Sequence, residues 1–440
     1  MMMKQSTFFT CLLCLLAALP LTMRGEEELP SQTVSDGVLT VTVTATGQFN
    51  SSYSSYQTLL QVQPAEQPVT TLKVIGPLNG PDIDRVRNLL SETLTTLDLG
   101  EARFVGEGEY VYDNVYKADM QDNVVGYRMF NNSSYLHAIV LPAGIKRIEE
   151  LAFSTCNSLE SVTMGNELTY VGKSAFVSCR ALSTVVWSAS LDSIAEGAFQ
   201  RTNLTSATLP ASLRYIGKRA FYDANLADGL TLSEGLLTID DEAFVSCKFA
   251  SLTLPNSLTR AGNSVLSSCN QLRQLHFGSG LKKVPGRFMA ASPSYNRYVE
   301  TVTFAEGVEE LGDSLFWVNY TSWATLTSVS LPTTLRRIGA HAFHNQMGLS
   351  TVSLPERLEE IGPSAFNACN QLTTLTMPAT LLSIGSEAFR SCSALATVSL
   401  NEGLLSVGYR AFASTALASI SFPSTVSSLG AGACYDCRQL

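Results

Sequence analysis

The sequence predicts a repeat solenoid, mainly β, with one long parallel sheet, short second strands and a single helical turn in each coil. Three observations predict it. An Ala-Phe step returns along the chain at Phe130, Phe153, Phe176, Phe199, Phe221, Phe244, Phe316, Phe343, Phe366, Phe389 and Phe412, with Leu266, Met289 and Cys434 in the same slot. The steps are 22, 23 or 27 residues, the range of leucine-rich repeat coils. Apolar residues recur 14, 12, 8 and 5 positions before each slot, as Leu375, Met377, Leu381 and Ile384 do before Phe389. The first two alternate with hydroxyls such as Thr376, the period of a strand with one buried face.

Each element of a coil has a physical reason. Pro142, Pro210, Pro255 and Pro378 follow the strand, and a residue without an amide hydrogen marks its exit. Leu-x-x-Ile-Gly then reads as a second, shorter extended piece, with Gly letting the chain bend. A short residue ahead of Ala-Phe, such as Ser386, is placed to cap one helical turn. One coil has too little core to fold alone, so the coils must stack and share one interior. Fourteen slots, at about 4.8 Å each, give a rod about 65 Å long.

The chain before the repeats reads in three parts. Residues 1–25, with Lys4, an apolar run from Phe8 to Leu19 and then Pro20, have the layout of a secretory signal peptide and are too short to span a bilayer. Residues 26–125 form an N-terminal cap, because the first coil's stacking face would otherwise meet water. Its strand is Val38 to Thr44, and its short helix is Pro81 to Leu90, with Asp82 as N-cap and Ile83, Val86 and Leu90 on one face. Leu94 to Leu99 supplies another strand, and Glu107 to Tyr127 reads as a surface loop. Residues 126–440 are the solenoid, which the sequence leaves in mid-repeat at Leu440.

A chain of 440 residues with net charge −9 and a pI near 5.1 lacks the basic footprint that nucleic acid binding needs. No stretch after the leader is apolar for long enough to cross a membrane. No Ser/His/Asp order, phosphate loop or HExxH motif is present, so neither catalytic residues nor a metal or cofactor is expected.

The segment Thr71 to Asp84, then Leu97-Asp-Leu-Gly-Glu-Ala102, then repeats of the form Leu-Pro-x-x-Leu-x-x-Ile-Gly-x-x-Ala-Phe-x-x-Cys, resembles the BspA-like leucine-rich repeat surface proteins of Gram-negative anaerobes. The resemblance covers nearly all of the chain after the leader. It implies a secreted or outer-surface protein that binds other proteins, in some members host extracellular matrix components, without catalysis.

Cys156, Cys179, Cys247, Cys269, Cys369, Cys392 and Cys437 stand three residues after a slot, where other coils have Ser133, Thr202, Ala224 or Thr415. Exchange among small residues marks a tight buried pocket that a free thiol suits. Cys156/Cys179, Cys247/Cys269 and Cys369/Cys392 lie on consecutive coils, so disulfides between them are the other reading. Cys434-x-x-Cys437 fills two ordinary repeat slots. His137, His341 and His344 read as solvated side chains.

Binding is expected where the repeat is irregular. The steps Met289 to Phe316 and Phe316 to Phe343 each carry four extra residues between slot and strand, which makes the two bulges neighbours on one edge. With the preceding stretch, in which Arg273, Lys282, Lys283 and Arg287 occur without an acid, they suggest a basic aromatic patch of Arg273, His276, Tyr295, Arg297, Tyr298, Trp317, Tyr320 and Trp323. Its partner is a protein or, with Trp317 and Trp323 as stacking platforms, a surface glycan. The outward hydroxyls of the strands, such as Ser251/Thr253 and Thr301/Thr303, add a neutral face.

Overall fold

A computed structural model describes residues 29–61, 68–289, 298–318 and 326–440. Strand β1 (Ser31–Ser35) pairs antiparallel with β2 (Val38–Thr42), which runs parallel to β3 (Thr71–Leu78), and β3 hands the sheet on to β4 (Thr96–Asp98) and the first coils. Three helices, α1 (Gln48–Ser51), α2 (Tyr53–Gln61) and α3 (Gly80–Asn88), are the helices among the described residues.

The expected N-cap is corrected by three residues. Asn79, not Asp82, is the N-cap of α3: its side chain accepts from the Asp82 amide at 3.2 Å, and the Asp82 carboxylate accepts from the Asn79 amide at 3.1 Å. Asp82 also accepts from the amides of Gly47 and Asn50 at 2.8 Å each, so one buried carboxylate ties the starts of α1 and α3 together. The expected loop between Glu107 and Tyr127 contains a hairpin, Glu109–Tyr112 against Tyr116–Asp119. Asp113 and Asn114, at φ 49° and 59°, reverse the chain there, and Tyr110 is buried with its hydroxyl donating to the Tyr127 carbonyl at 2.8 Å.

Every coil contributes a longer strand of three or four residues, a strand of two residues, or both, in parallel register with the same slots of its neighbours, as in Val162↔Val185 and Val302↔Val329. The two-residue strands form two ladders of seven, from Val124–Val125 to Arg260–Ala261 and from Lys283–Val284 to Ser428–Leu429. The interruption has a covalent cause. In neighbouring coils the Gly after the short strand donates to the previous coil, as Gly262 does to Ile239 at 2.8 Å and Gly312 to Val284 at 2.9 Å, and the residue in that slot here is Pro285, which has no amide hydrogen. The longer strands pair in segments, with an interruption between Thr184–Val186 and Ser206–Thr208 and another between Gly229–Thr231 and Ser251–Thr253.

The segment around each Phe is not the capped helical turn that the sequence suggests. It is a run of tight turns in which the residues two before and two after the slot adopt positive φ in most coils, as Leu151 (59°) and Thr155 (58°) do around Phe153, with Val318 after Phe316 an exception. Amides alternate in consequence. Those of Leu151, Phe153 and Thr155 reach the carbonyls of Lys173, Ala175 and Val177 in the next coil, and those of Ala152, Ser154 and Cys156 close turns within their own. A helical turn would aim all six amides along its own axis and leave the neighbouring coil without donors.

Inside this corner the rings stack. Phe130, Phe153, Phe176, Phe199, Phe221 and Phe244 lie face to face with centroids 4.9–5.5 Å apart, and Phe316, Phe343, Phe366, Phe389 and Phe412 do the same at 5.1–5.7 Å. Between the two runs the slot holds Leu266 and Met289, and aromatic volume moves to the long strands, where Phe277 and Phe304 stack at 4.9 Å. The Gly slot is set by contact more than by bending. A Cβ on Gly385 would meet Pro363 N at 2.4 Å and Gly362 C at 2.6 Å.

Two stability measurements check this packing. Phe366→Ala, at a fully buried ring stacked on both sides, is expected to cost about 3–5 kcal/mol in denaturant unfolding. Gly385→Ala is expected to cost about 1–3 kcal/mol, because the coil below must shift to admit one methyl group.

Candidate functional site

The described part of the expected patch falls at two places on the coil. Arg273 immediately precedes the strand Gln274–Phe277, and its guanidinium lies 5.2 Å over the Tyr298 ring of the next coil while its Nε stands 3.5 Å from Glu300. His276 faces outward on the same strand, with Nδ1 2.6 Å from the Thr303 hydroxyl in the paired strand. Arg273, His276 and Tyr298 therefore share the start of the long-strand face. Trp317, 37% exposed, belongs to the Phe corner instead, with its ring 6.5 Å from those of His341 and His344. Tyr295, Arg297, Tyr320 and Trp323, and with them the two bulges, lie outside the described residues.

The positive charge expected there is largely cancelled. Lys282 pairs with Glu309 at 3.7 Å and Lys283 with Glu310 at 3.0 Å, as Arg273 does with Glu300. Each acid stands 27 residues further on, in the same slot of the next coil, so a window along the chain counts the cations and misses their partners. Lys283 also belongs to a short strand, on a different part of the coil from Arg273. Exposed pairs of this kind add little stability and leave little net field.

His344 is buried, at 5% exposure, which corrects its expected solvation. The residues after Phe343 are polar where most coils carry small ones, and they reach into the preceding coil. Asn345 Nδ2 donates to Val318 O at 2.9 Å, and Gln346 Nε2 donates to Phe316 O. His341 stands 5.3 Å from His344, ring to ring. Burial first, and the neighbouring His341 second, bring the His344 pKa down from 6.5 to about 4.

The thiols are free and have a structural task that the sequence did not reveal. Cys156, Cys179, Cys369 and Cys392 point at the carbonyls of Phe130, Phe153, Phe343 and Phe366, one slot earlier, with sulfur–oxygen distances of 3.0–3.3 Å. Thr202 and Thr415 donate instead to the Phe carbonyl of their own coil at 2.9 Å. Most occupants of the slot are thus donors as well as small, with Ala224 small but without a donor and Gln346 a donor but long. Burial pushes the Cys269 and Cys392 thiols up to about 12, which holds them protonated and unreactive at neutral pH. Cys437 follows the same rule, donating to Phe412 O at 3.1 Å, so Cys434 and Cys437 act as ordinary coil residues.

Among the described residues no group of three or more His, Cys, Asp or Glu side chains is placed to hold a metal ion, and no helix is long and apolar enough to cross a membrane. The sequence matches the model of the BspA type leucine rich repeat region, in six copies, over residues 123–229, 192–322 and 318–440. No curated protein matches. Similar solved structures include a leucine-rich repeat protein from Bacteroides ovatus, 18% identical over 79% of this chain and 85% of that one, with a TM-score of 0.47. A leucine rich cell surface protein from Faecalibacterium prausnitzii is 16% identical over 86% and 95%, with a TM-score of 0.33. The pneumococcal vaccine antigen PcpA is 18% identical over 92% of each chain, with a TM-score of 0.35.

A pH series tests the buried imidazole. Because the folded state holds His344 neutral while the unfolded chain takes up a proton near pH 6.5, stability is lost as pH falls from about 6.5 to about 4. His344→Gln is expected to flatten that part of the curve relative to the parent protein. Parallel curves would show that the group does not titrate differently on folding.

Proposed function

The chain belongs to the BspA-type leucine-rich repeat family, and from that premise we propose an exported, surface-located protein that docks another protein along the edge where its coils are longest. Residues 1–25 are the export signal, residues 26–125 cover the first coil, and the stack beyond them is the docking scaffold. The observation that carries the docking reading is the start of the long-strand face. There Arg273 and Tyr298 stack across consecutive coils, and His276 and Thr303 extend the contact outward along the strands. An aromatic ring held over a guanidinium is preorganised, so little side-chain entropy is lost when a partner covers it. The outward hydroxyls of Thr301, Thr303, Ser328 and Ser330 continue the surface without charge, which suits a broad and shallow interface.

Tyr295, Arg297, Tyr320 and Trp323 belong to the same proposal through their sequence positions, between Met289 and Tyr298 and between Val318 and Leu326. A glycan partner is the second proposal, favoured by the exposed face of Trp317. An extracellular matrix protein is the first class of partner to try.

Immobilised matrix proteins and a glycan array, probed with the mature chain, separate the two. Tyr298→Ala and Trp317→Ala, in variants with the parent's unfolding midpoint, are each expected to weaken binding about tenfold or more. Partners that bind both variants as tightly as the parent would remove this edge from consideration.

A further inference from the structure

Two shortened coils border a recess on the rod. In most coils a two-residue turn separates the corner from the long strand, as at Asn157–Ser158, Arg180–Ala181 and Asn270–Gln271. The coils that begin at Phe199 and Phe244 lack one residue there, so Leu204 and Phe249 come five positions after the slot, where Leu159, Leu182 and Leu272 come six after; the Phe221 coil keeps its 23 residues but also brings Leu226 to five, with its turn at Ala227–Asp228 beyond it. Without the turn the backbone runs straight into its neighbours. Asn225 N donates to Thr202 O at 3.3 Å and Lys248 N to Asn225 O at 3.0 Å. With the turn absent from two of these coils and displaced beyond Leu226 in the coil between them, the three leave a recess of about 350 Å³, bounded at one end by the Arg180 turn.

Its lining is chemically one-sided. Arg180, Arg201 and Lys248 project into it from exposed positions against a single carboxylate, Asp223, and among the described residues none of the three cations is in an ion pair. Cations on neighbouring coils behave otherwise, Lys173 pairing with Glu196 and Arg219 with Glu242 across adjacent coils. Between the cations stand two side-chain amides, with Asn225 Nδ2 donating to Asn203 Oδ1 at 3.2 Å. The floor is small, formed by Thr202 and Ala224, and it offers no apolar pocket for a peptide side chain. From the Arg180 coil to the Lys248 coil the recess spans three coil steps, about 15 Å.

From this geometry we propose that the trough over the Phe199, Phe221 and Phe244 coils binds an acidic polysaccharide. Arg180, Arg201 and Lys248 take its sulfate or carboxylate groups, and Asn203 and Asn225 take its hydroxyls. Spaced cations suit a chain with repeated anions, guanidinium forks bind such oxyanions in pairs, and amides both donate to and accept from hydroxyls. The site uses none of the residues of the docking edge proposed above, and it stands or falls without it.

The test uses four fluorescent probes at low salt, where screening is weak: dextran sulfate, polygalacturonate, uncharged dextran and polyglutamate. Dextran sulfate, polygalacturonate or both should bind, identifying the anion, while dextran should not. The triple variant Arg180→Ala, Arg201→Ala, Lys248→Ala should lose about tenfold or more of that affinity, against less than about twofold for Lys146→Ala, Lys218→Ala, Arg357→Ala elsewhere on the rod. Inserting one Ala after Asn203 and one after Lys248 restores the usual turn in the two shortened coils and keeps every charge. It should produce a similar loss, provided the unfolding midpoint holds; if it does not, the charge variants decide alone. Failure of both anionic polysaccharides to bind, equal losses in the two triple variants, or polyglutamate binding as tightly as the polysaccharides would overturn the assignment.

Discussion

The amide that runs from each Phe slot to the carbonyl ahead of the next one is the bond on which the stack depends. Phe153 to Ala175, Phe176 to Ala198, Phe343 to Ala365 and Phe389 to Ala411 all measure 2.7–2.8 Å, and each closes over a pair of stacked rings. The bond goes with positive φ, which the chain accepts twice in most corners and, around Phe316, once, at Ser314. Such a conformation costs of order 1 kcal/mol for a residue with a side chain, so the return must come from the three amides it turns toward the neighbouring coil. β-branched residues tolerate it worst, and at the positions two before and two after the slots the chain places mostly Arg, Ser, Glu, Asn, Asp and Gly, with Leu151, His341 and Ala368 besides and Thr155 a single β-branched residue among those at positive φ.

Redundancy protects this arrangement. The long-strand ladder is interrupted between Thr184–Val186 and Ser206–Thr208, and at that joint Ser193–Ile194 still pairs with Tyr215–Ile216. The short-strand ladder is interrupted at Pro285, and at that joint Ser251–Thr253 still pairs with the strand that begins at Gln274. Because the two interruptions fall at different joints, the interior remains continuous where either ladder fails. The rings follow the same logic: where Leu266 and Met289 end the corner stack, Phe277 and Phe304 begin another on the opposite side of the core.

What could be read from the chain was whatever repeats at a fixed offset. The Phe slots, the alternating strands and the buried position three after each slot all carry that signal, and so the coil was legible almost residue by residue. Pairings across coils were less so. The partners of Lys282 and Lys283 are 27 residues away, and beside His344 the side chains of Asn345 and Gln346 reach Val318 and Phe316 in the coil before, as the Trp317 ring reaches His344 itself. In the N-terminal segment no repeat supplied a reference. Asn79 was passed over for Asp82 because both are good capping residues, and the reciprocal bonds that distinguish a cap from its third residue are tertiary facts. The hairpin at Tyr110 had a local signal in Asp113-Asn114, a pair that accepts positive φ at both positions.

The places where coil length varies have a common physical cause. Corner, long strand and short strand all send amides to a neighbouring coil, so a residue added or removed there would put every later donor out of register. Between the corner and the long strand a regular coil closes only on itself, as Leu159 N does on Cys156 O at 3.2 Å and Leu182 N on Cys179 O at 3.1 Å. Length is free to change there at no cost to the stack. Deletions after Phe199, Phe244 and Phe412 all use that one segment, and in the sequence the additions after Met289 and Phe316 fall in it too. The constraint that fixes the fold also decides where it can acquire a surface: the segment between corner and long strand supplies the recess, while the rest of each coil is held to its neighbours.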